Sequence, residues 1–347
     1  MTTTTLSLTP DSLARTTAAA LSGAAVFHDF IRPDLDAVEA RLDAAIGSEV
    51  RTLSTLTAHI LRAGGKRLRP AMVALSARAY QPDIAQARIA AIGASVELIH
   101  MASLVHDDVV DNTTTRRGKP TANSLFDNSV AVISGDYILA RSMQLLAEDG
   151  DPRLLRIIAD ITVTMSEGEV LEIAAGGRHD LPMAEYLEIL RKKTAVFLEG
   201  CCRCGAVLAN ADERTENALA QYGCRLGMAF QLADDLLDYI GDPAITGKPR
   251  GSDLRDGRAT MPFLLALHDA TTADREQLLK AFGDPGLTDA SVLDICTLIA
   301  IYNGFDRTRD FAQEQVELAD TAIVALPPSP ARDCFRALTS YVVLRDR

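Results

Sequence analysis

Apolar residues recur at intervals of three and four along most of this chain, the spacing that gathers side chains on one face of an α-helix. The pattern predicts helices over residues 35–46, 53–61, 72–80, 89–110, 129–146, 154–174, 183–210, 216–239, 260–268, 292–301 and 308–324. Strand-like alternation is nearly absent, and Ala, Leu and Met fill the runs. Gly64-Gly65, Gly176-Gly177, Asp242-Pro243, Asp284-Pro285 and Pro327-Pro328 punctuate them. The expected fold is all-α, with about ten to thirteen helices in one domain over residues 31–347. Residues 1–30 open with a Thr/Ala-rich stretch and are expected to be loose or peripheral. No strand–glycine loop–helix unit and no P-loop interrupts the helical pattern.

Two stretches break the amphipathic rule in the same way. Asp107-Asp108-Val-Val-Asp111 and Asp234-Asp235-Leu-Leu-Asp238 each set carboxylates at i, i+1 and i+4 inside apolar sequence. On a helix, i and i+4 share a face, where like charges repel and unpaired burial is costly. Cations make the arrangement intelligible. Carboxylates without convergent His or Cys suit Mg²⁺, held partly through the phosphates of a ligand. Two such helices facing each other point to a diphosphate held between them.

With 347 residues, 35 basic against 47 acidic, the formal net charge is -12. That balance disfavours nonspecific binding to nucleic acid or anionic membrane, so an anionic substrate needs a local basic site. The only lysines are Lys66, Lys119, Lys192, Lys193, Lys248 and Lys280. Gly64-Gly65-Lys66-Arg67-Leu68-Arg69-Pro70 falls at a helix junction, where Lys66 and Arg69 can direct charge into a pocket. Arg116-Arg117-Gly118-Lys119 follows the first acidic motif, and two adjacent guanidinium forks suit two diphosphates. His100 lies almost two helical turns before Asp107, near the same face. Lys192-Lys193-Thr194 interrupts an apolar helix, so that one lysine snorkels while the other enters the pocket. Gln231 precedes Asp235 by one turn and offers donors to phosphate. Gly247-Lys248-Pro249 follows the second acidic motif. Of the six cysteines, Cys201, Cys202 and Cys204 crowd an apolar helical run; without paired Cys-x-x-Cys spacing, the set reads as reduced core thiols. No signal segment and no uninterrupted run of about 18 apolar residues appears, so a cytoplasmic chain without a transmembrane segment is expected.

In order, GGKRLRP, LVHDDVVD with RRGKPTAN, EGEVLE, KKTA, and GMAFQLADDLLDY followed by GKPRGSDL closely resemble the trans-isoprenyl diphosphate synthase, or polyprenyl synthetase, family. The resemblance is closest to its long-chain octaprenyl and decaprenyl branch. It implies an isoprenoid-synthase helical bundle around a central elongation cavity. The implied activity is head-to-tail addition of isopentenyl diphosphate to an allylic diphosphate, with release of diphosphate. It further implies that Lys66, Arg69, His100 and Arg117 bind isopentenyl diphosphate. Arg116, Lys193, Thr194, Gln231 and Lys248 would hold the allylic diphosphate. Asp107 and Asp111 would carry two Mg²⁺ ions and Asp234 a third, with Asp108, Asp235 and Asp238 supporting the metal clusters. A homodimer feeding a lipid pathway such as a quinone side chain is the family's expectation. Two positions depart from the common pattern: Arg258 replaces a frequent lysine directed at the allylic phosphate, and Glu172 replaces a frequent glutamine.

Ala102 and Ser103, five and four positions before Asp107, are small. By the resemblance, a large aromatic here blocks an elongating chain, whereas Ala102 leaves room for a product of C35–C50. Farnesyl or geranylgeranyl diphosphate synthesis remains an alternative if another bulky side chain closes the tunnel. A terpene-cyclising relative and a non-catalytic regulatory or scaffold subunit are the other competitors. Retention of all six aspartates weighs against the last.

Overall fold

A computed structural model describes residues 10–116, 118–243 and 249–344; Arg117 and Lys248 lie outside them. Its elements are α1 (Pro10–Ala45), α2 (Arg51–Arg62), α3 (Leu68–Tyr80), α4 (Gln86–Val110), a hairpin of β1 (Thr115–Arg116) and β2 (Lys119–Pro120), α5 (Ala122–Leu125), α6 (Asn128–Asp149) and α7 (Pro152–Ala175). There follow α8 (Met183–Leu190), a π-helical turn (Arg191–Ala195), α9 (Val196–Leu208), α10 (Glu213–Ile240), α11 (Ser252–Arg255), α12 (Met261–Asp269), α13 (Thr272–Ala281), α14 (Asp289–Ile301), α15 (Gly304–Ala322), a 3-10 turn (Ile323–Ala325) and α16 (Pro330–Leu344). The all-α expectation holds, and the small hairpin is the one pair of strands among the described residues.

α1 runs unbroken through Pro33 and spans residue 30. Two differences from the sequence pattern have physical reasons. The short helix α13, TADREQLLKA, is largely polar and buries only Leu278 and Ala281, so its apolar period is faint. α16 follows the Pro327-Pro328 stop and had been missed as a helix; it packs on α1, α3, α10 and α15.

Helix ends follow local chemistry. Asp127, Asp151 and Asp212 accept hydrogen bonds from the first-turn amides of α6, α7 and α10, and Pro152 sits at the first position of α7. α4 is apolar around most of its circumference and is correspondingly central, packing on α1, α3 and α6. It is the one helix among the described residues long and apolar enough to cross a membrane, yet 72% of that window is buried within the fold. α9 lies between α3 and α10, with α7 alongside it. Cys201, Cys202, Cys204 and Cys334 are buried thiols and Cys224 and Cys296 half-buried ones, all unbridged.

Candidate active site

The two acidic motifs sit at the ends of α4 and α10. Successive helical residues point about 100° apart, so adjacent aspartates cannot share a task. Asp107 lines a chamber of about 440 Å³, mostly apolar in surface, together with Ile99, Ala102, Ser103, Leu139 and Met165 and with the charged Glu169 and Lys193. Asp108 turns away and is buried, accepting a 2.9 Å hydrogen bond from Arg116 Nε. Asp111 is not part of the helical wall: it is the residue that ends α4, and it is exposed. On α10 the division repeats. Asp234 lines a second chamber of about 650 Å³ with Lys66, Arg69, His100, Thr194 and Gln231. Asp235 is buried, accepting from the Tyr186 hydroxyl and from Gln231 Nε2 at 3.1 Å. Asp238 accepts from the backbone amides of Ser252 and Asp253, both at 3.1 Å, and so fastens α11 to α10.

The chambers are neighbours. Arg69, His100, Leu104 and Thr194 line both, forming the wall between the basic space and the apolar one. Arg69 stacks over the Phe197 ring at 4.7 Å, and His100 meets the same ring edge-on. Lys66 lies 5.6 Å from the Tyr341 ring centroid, so the last helix meets one cation of the basic chamber. Arg67, between these cations, also lines the basic chamber and pairs with the buried Glu97 and the partly exposed Glu39. Arg116 lines a narrower recess with Asp108 and the hairpin rather than either chamber. The hairpin is fixed to α2 by Lys119 Nζ donating to the Arg62 carbonyl at 2.7 Å.

Lys193 and Thr194 owe their position to an irregular helix. The π-helical turn carrying them is squeezed between two glycines: a Cβ at Gly168 would lie 2.7 Å from the Lys193 backbone nitrogen, and one at Gly227 would lie 2.6 Å from Ala195 Cα. Neither contact tolerates a side chain. Such single π turns widen a helix locally and re-aim its side chains. Lys192 pairs with Glu167, while Lys193 reaches Glu172 and, at 3.0 Å, Glu169 on α7. Glu172, the departure from glutamine, is therefore an ion-pair partner of the lysine. The other departure, Arg258, donates to Asp253 at 2.9 Å and Asp256 at 2.6 Å, and approaches Asp111 to 3.9 Å. It links the region after the second motif to the last residue of the first.

The electrostatics are those of a site short of positive charge. Burial, then Glu169, pushes the Asp107 carboxyl up to about 6, against the pull of Lys193 and Arg116. Burial and Asp253 push Asp238 up to about 7, and the same two causes raise Asp235 well above the carboxylate range. Burial works against the charge on Lys193 and Arg258, but their acidic neighbours outweigh it and hold both cations firmly protonated. Among the described residues no three His, Cys, Asp or Glu side chains converge tightly enough to hold a metal ion unaided. Oxygen donors arranged sparsely on two helices fit a hard divalent ion completed by ligand phosphates and water. Tyr186, Glu169 and Asp253 are parts of this network that sequence reasoning missed. Glu169 lies in EGEVLE and Asp253 in GKPRGSDL, close beyond Lys248, whereas Tyr186 lies in no motif.

The polyprenyl synthetase family model matches residues 50–299. Heptaprenyl diphosphate synthase component 2 of Geobacillus stearothermophilus is 38% identical over 319 residues, covering 92% of this chain and 98% of that protein. Octaprenyl diphosphate synthase of Escherichia coli is 35% identical over 322 residues, covering 92% and 98%. A crystal structure of polyprenyl synthase from Caulobacter crescentus CB15, complexed with calcium and isoprenyl diphosphate, has a TM-score of 0.88 and 35% identity, covering 93% of this chain and 98% of that one. With motifs, architecture and these near full-length matches in agreement, the chain belongs to the polyprenyl synthetase family.

Proposed function

We propose that this chain adds isopentenyl diphosphate units head-to-tail to an allylic diphosphate and extends the product to C35–C50. The observation that carries this reading is the pair of chambers sharing one wall: a basic one for diphosphate and, beside Asp107, an apolar one for the growing chain. Lys66, Arg69 and His100 are placed for the diphosphate of isopentenyl diphosphate, with Arg117 assigned there by its motif. Thr194 and Gln231 in the basic chamber, Lys193 beside Asp107 in the other and Arg258 near Asp111 are assigned to the allylic diphosphate, with Lys248 assigned by motif. Arg116 acts from behind, holding Asp108.

Asp107, Asp111 and Asp234 are the carboxylates open to Mg²⁺, and the ions when bound neutralise the diphosphate as its bond to the allylic carbon breaks. That a related polyprenyl synthase was crystallised with calcium and isoprenyl diphosphate supports a divalent-ion and diphosphate site. The Lys193 and Gln231 side chains orient the leaving group. Ile99, Leu139 and Met165 exclude water from the allylic carbon, where the double bond of isopentenyl diphosphate attacks before a proton is lost. Ala102, 3% exposed, leaves the apolar chamber open beneath Asp107. The names of the octaprenyl and heptaprenyl relatives support a long product.

A homodimer is part of the proposal. Leu155, Val163, Val170 and Ile173 form an exposed apolar stripe along α7, and Val170 also borders the apolar chamber. A second reading rests on one relative being named a component of its synthase, which would make this chain one subunit of a two-part enzyme.

The test supplies the purified chain with isopentenyl diphosphate, Mg²⁺ and C5, C10, C15 or C20 allylic starters, with product masses as the readout. Linear products beyond C20 are expected. Cyclic products or termination at C15 or C20 would refute the long-chain reading, and activity only with an added partner would favour the second.

A further inference from the structure

The second acidic motif ends in a hydrogen-bonded chain that leads away from the substrate space. Tyr186, on α8, is 3% exposed and lines neither chamber. Its hydroxyl donates to Asp235 Oδ2; Asp235 Oδ1 accepts from Gln231 Nε2 at 3.1 Å; Gln231 Oε1 accepts from Thr194 Oγ1 at 3.0 Å. Three elements are joined: α8, α10 and the π turn.

The chemistry of these groups gives the chain a direction. Asp235 accepts from Gln231 Nε2 while Thr194 Oγ1 donates to Gln231 Oε1, so the NH₂ end of Gln231 is held toward Asp235. The amide oxygen then faces Thr194, whose single hydroxyl proton is committed to it. What remains for a ligand is the second N–H of Gln231, on a side chain that lines the basic chamber. Reversing the amide would set its oxygen against an acidic oxygen in a buried setting, an arrangement with a heavy electrostatic penalty.

We propose that Tyr186 is a positioning residue which, by anchoring Asp235, fixes the Gln231 amide with its free N–H directed at the allylic diphosphate. Without the Tyr186 hydroxyl, the Asp235 carboxylate loses the donor to one oxygen. It is then free to turn about its own side-chain torsion, Gln231 Nε2 follows it, and the remaining N–H loses its aim at the ligand. This inference rests on the proposed function, in which Gln231 serves the allylic diphosphate.

The experiment is a double-mutant cycle of Tyr186→Phe and Gln231→Ala, read as steady-state KM and kcat for an allylic starter that wild type elongates. Tyr186→Phe alone should raise the allylic KM about tenfold, the worth of one hydrogen bond to a charged group, with kcat and the isopentenyl diphosphate KM little changed. In the Gln231→Ala background the same substitution should change nothing. A purely structural role would give the same penalty in both backgrounds, and that result overturns the proposal, as does a wild-type KM in Tyr186→Phe. Asp235→Asn, which keeps the side-chain shape but puts a donor where only acceptors stood, supplies a second arm if Tyr186→Phe folds poorly. It should show the same KM rise and the same silence in the Gln231→Ala background, and additive penalties there also overturn the proposal. A wild-type chain that elongates no starter sinks the functional reading itself, a result separate from any outcome of the cycle.

Discussion

The motifs ending α4 and α10 are spelled almost alike, yet the fold uses them differently. In each, the first aspartate faces a chamber and the second turns to a protein donor: Asp108 to Arg116, Asp235 to Tyr186 and Gln231. The third breaks the symmetry. Asp111 ends its helix in the open near Arg258, whereas Asp238 is bound to the amides that begin α11. The first motif therefore keeps two carboxylates at the site, and the second keeps one. The difference teaches that a repeated ligand pattern need not be a repeated ligand set: two carboxylates of the second motif serve to hold the wall in place.

The largest expected effect lies at the first position of either motif. Asp107→Ala and Asp234→Ala should each lower kcat by at least about 10³-fold without loss of thermal stability. Residual activity near wild type in either would break the assignment of the metal-facing pair. Ala102→Tyr, beneath the first motif alone, should shorten the product, as mass spectrometry of the reaction would show; unchanged length would mean another side chain sets the limit. Asp235→Ala should instead lower folding stability by about 1–3 kcal/mol, because it leaves the Tyr186 hydroxyl and Gln231 amide without their acceptor. Urea unfolding showing Asp107→Ala to be the less stable variant would reverse the comparison.

A subtler distinction concerns pH. The Asp107 carboxyl is raised from 3.8 to about 6 in the native state, so the folded chain holds its proton where the unfolded chain has lost it. Its destabilising contribution is absent below pH 3.8, grows as pH rises, and is full above about 6. Without divalent ions, Asp107→Asn should therefore stabilise the fold at pH 8 by at most about 3 kcal/mol, and not at pH 3.5. Denaturation at both values checks this, and an equal gain at both would exclude the titration as cause. The smallest effect is expected at Glu172→Gln. Removing one of the two carboxylates that hold Lys193 should lower the allylic KM about threefold, and a raised KM would show that Glu172 helps the substrate rather than competing with it.

Much of this was legible in the linear chain. The 3.6-residue period gave the long helices because burying one face is what stabilises a helix in a domain. The two acidic motifs stood out because buried like charges demand a cation, and GGKRLRP and KKTA because lysine is so scarce. α13 escaped because a nearly polar helix leaves no period to read. Tyr186 escaped because a lone tyrosine on an apolar face resembles any core residue until its hydroxyl is seen against Asp235.

By itself, then, the sequence determined an all-helical chain carrying two carboxylate-bearing helices and a small set of cations confined to a few motifs. Those properties reside in composition and local spacing. Only the tertiary structure decided which aspartate of each adjacent pair meets the chamber, since that depends on the rotation of α4 and α10 against their neighbours. It also decided that Gly168 and Gly227 clasp a π turn, that Glu172 takes Lys193, and that Arg258 links the segment after the second motif to the end of the first. Each of these is a contact between residues distant in the chain, and the geometry of such contacts is set by packing rather than by local periodicity.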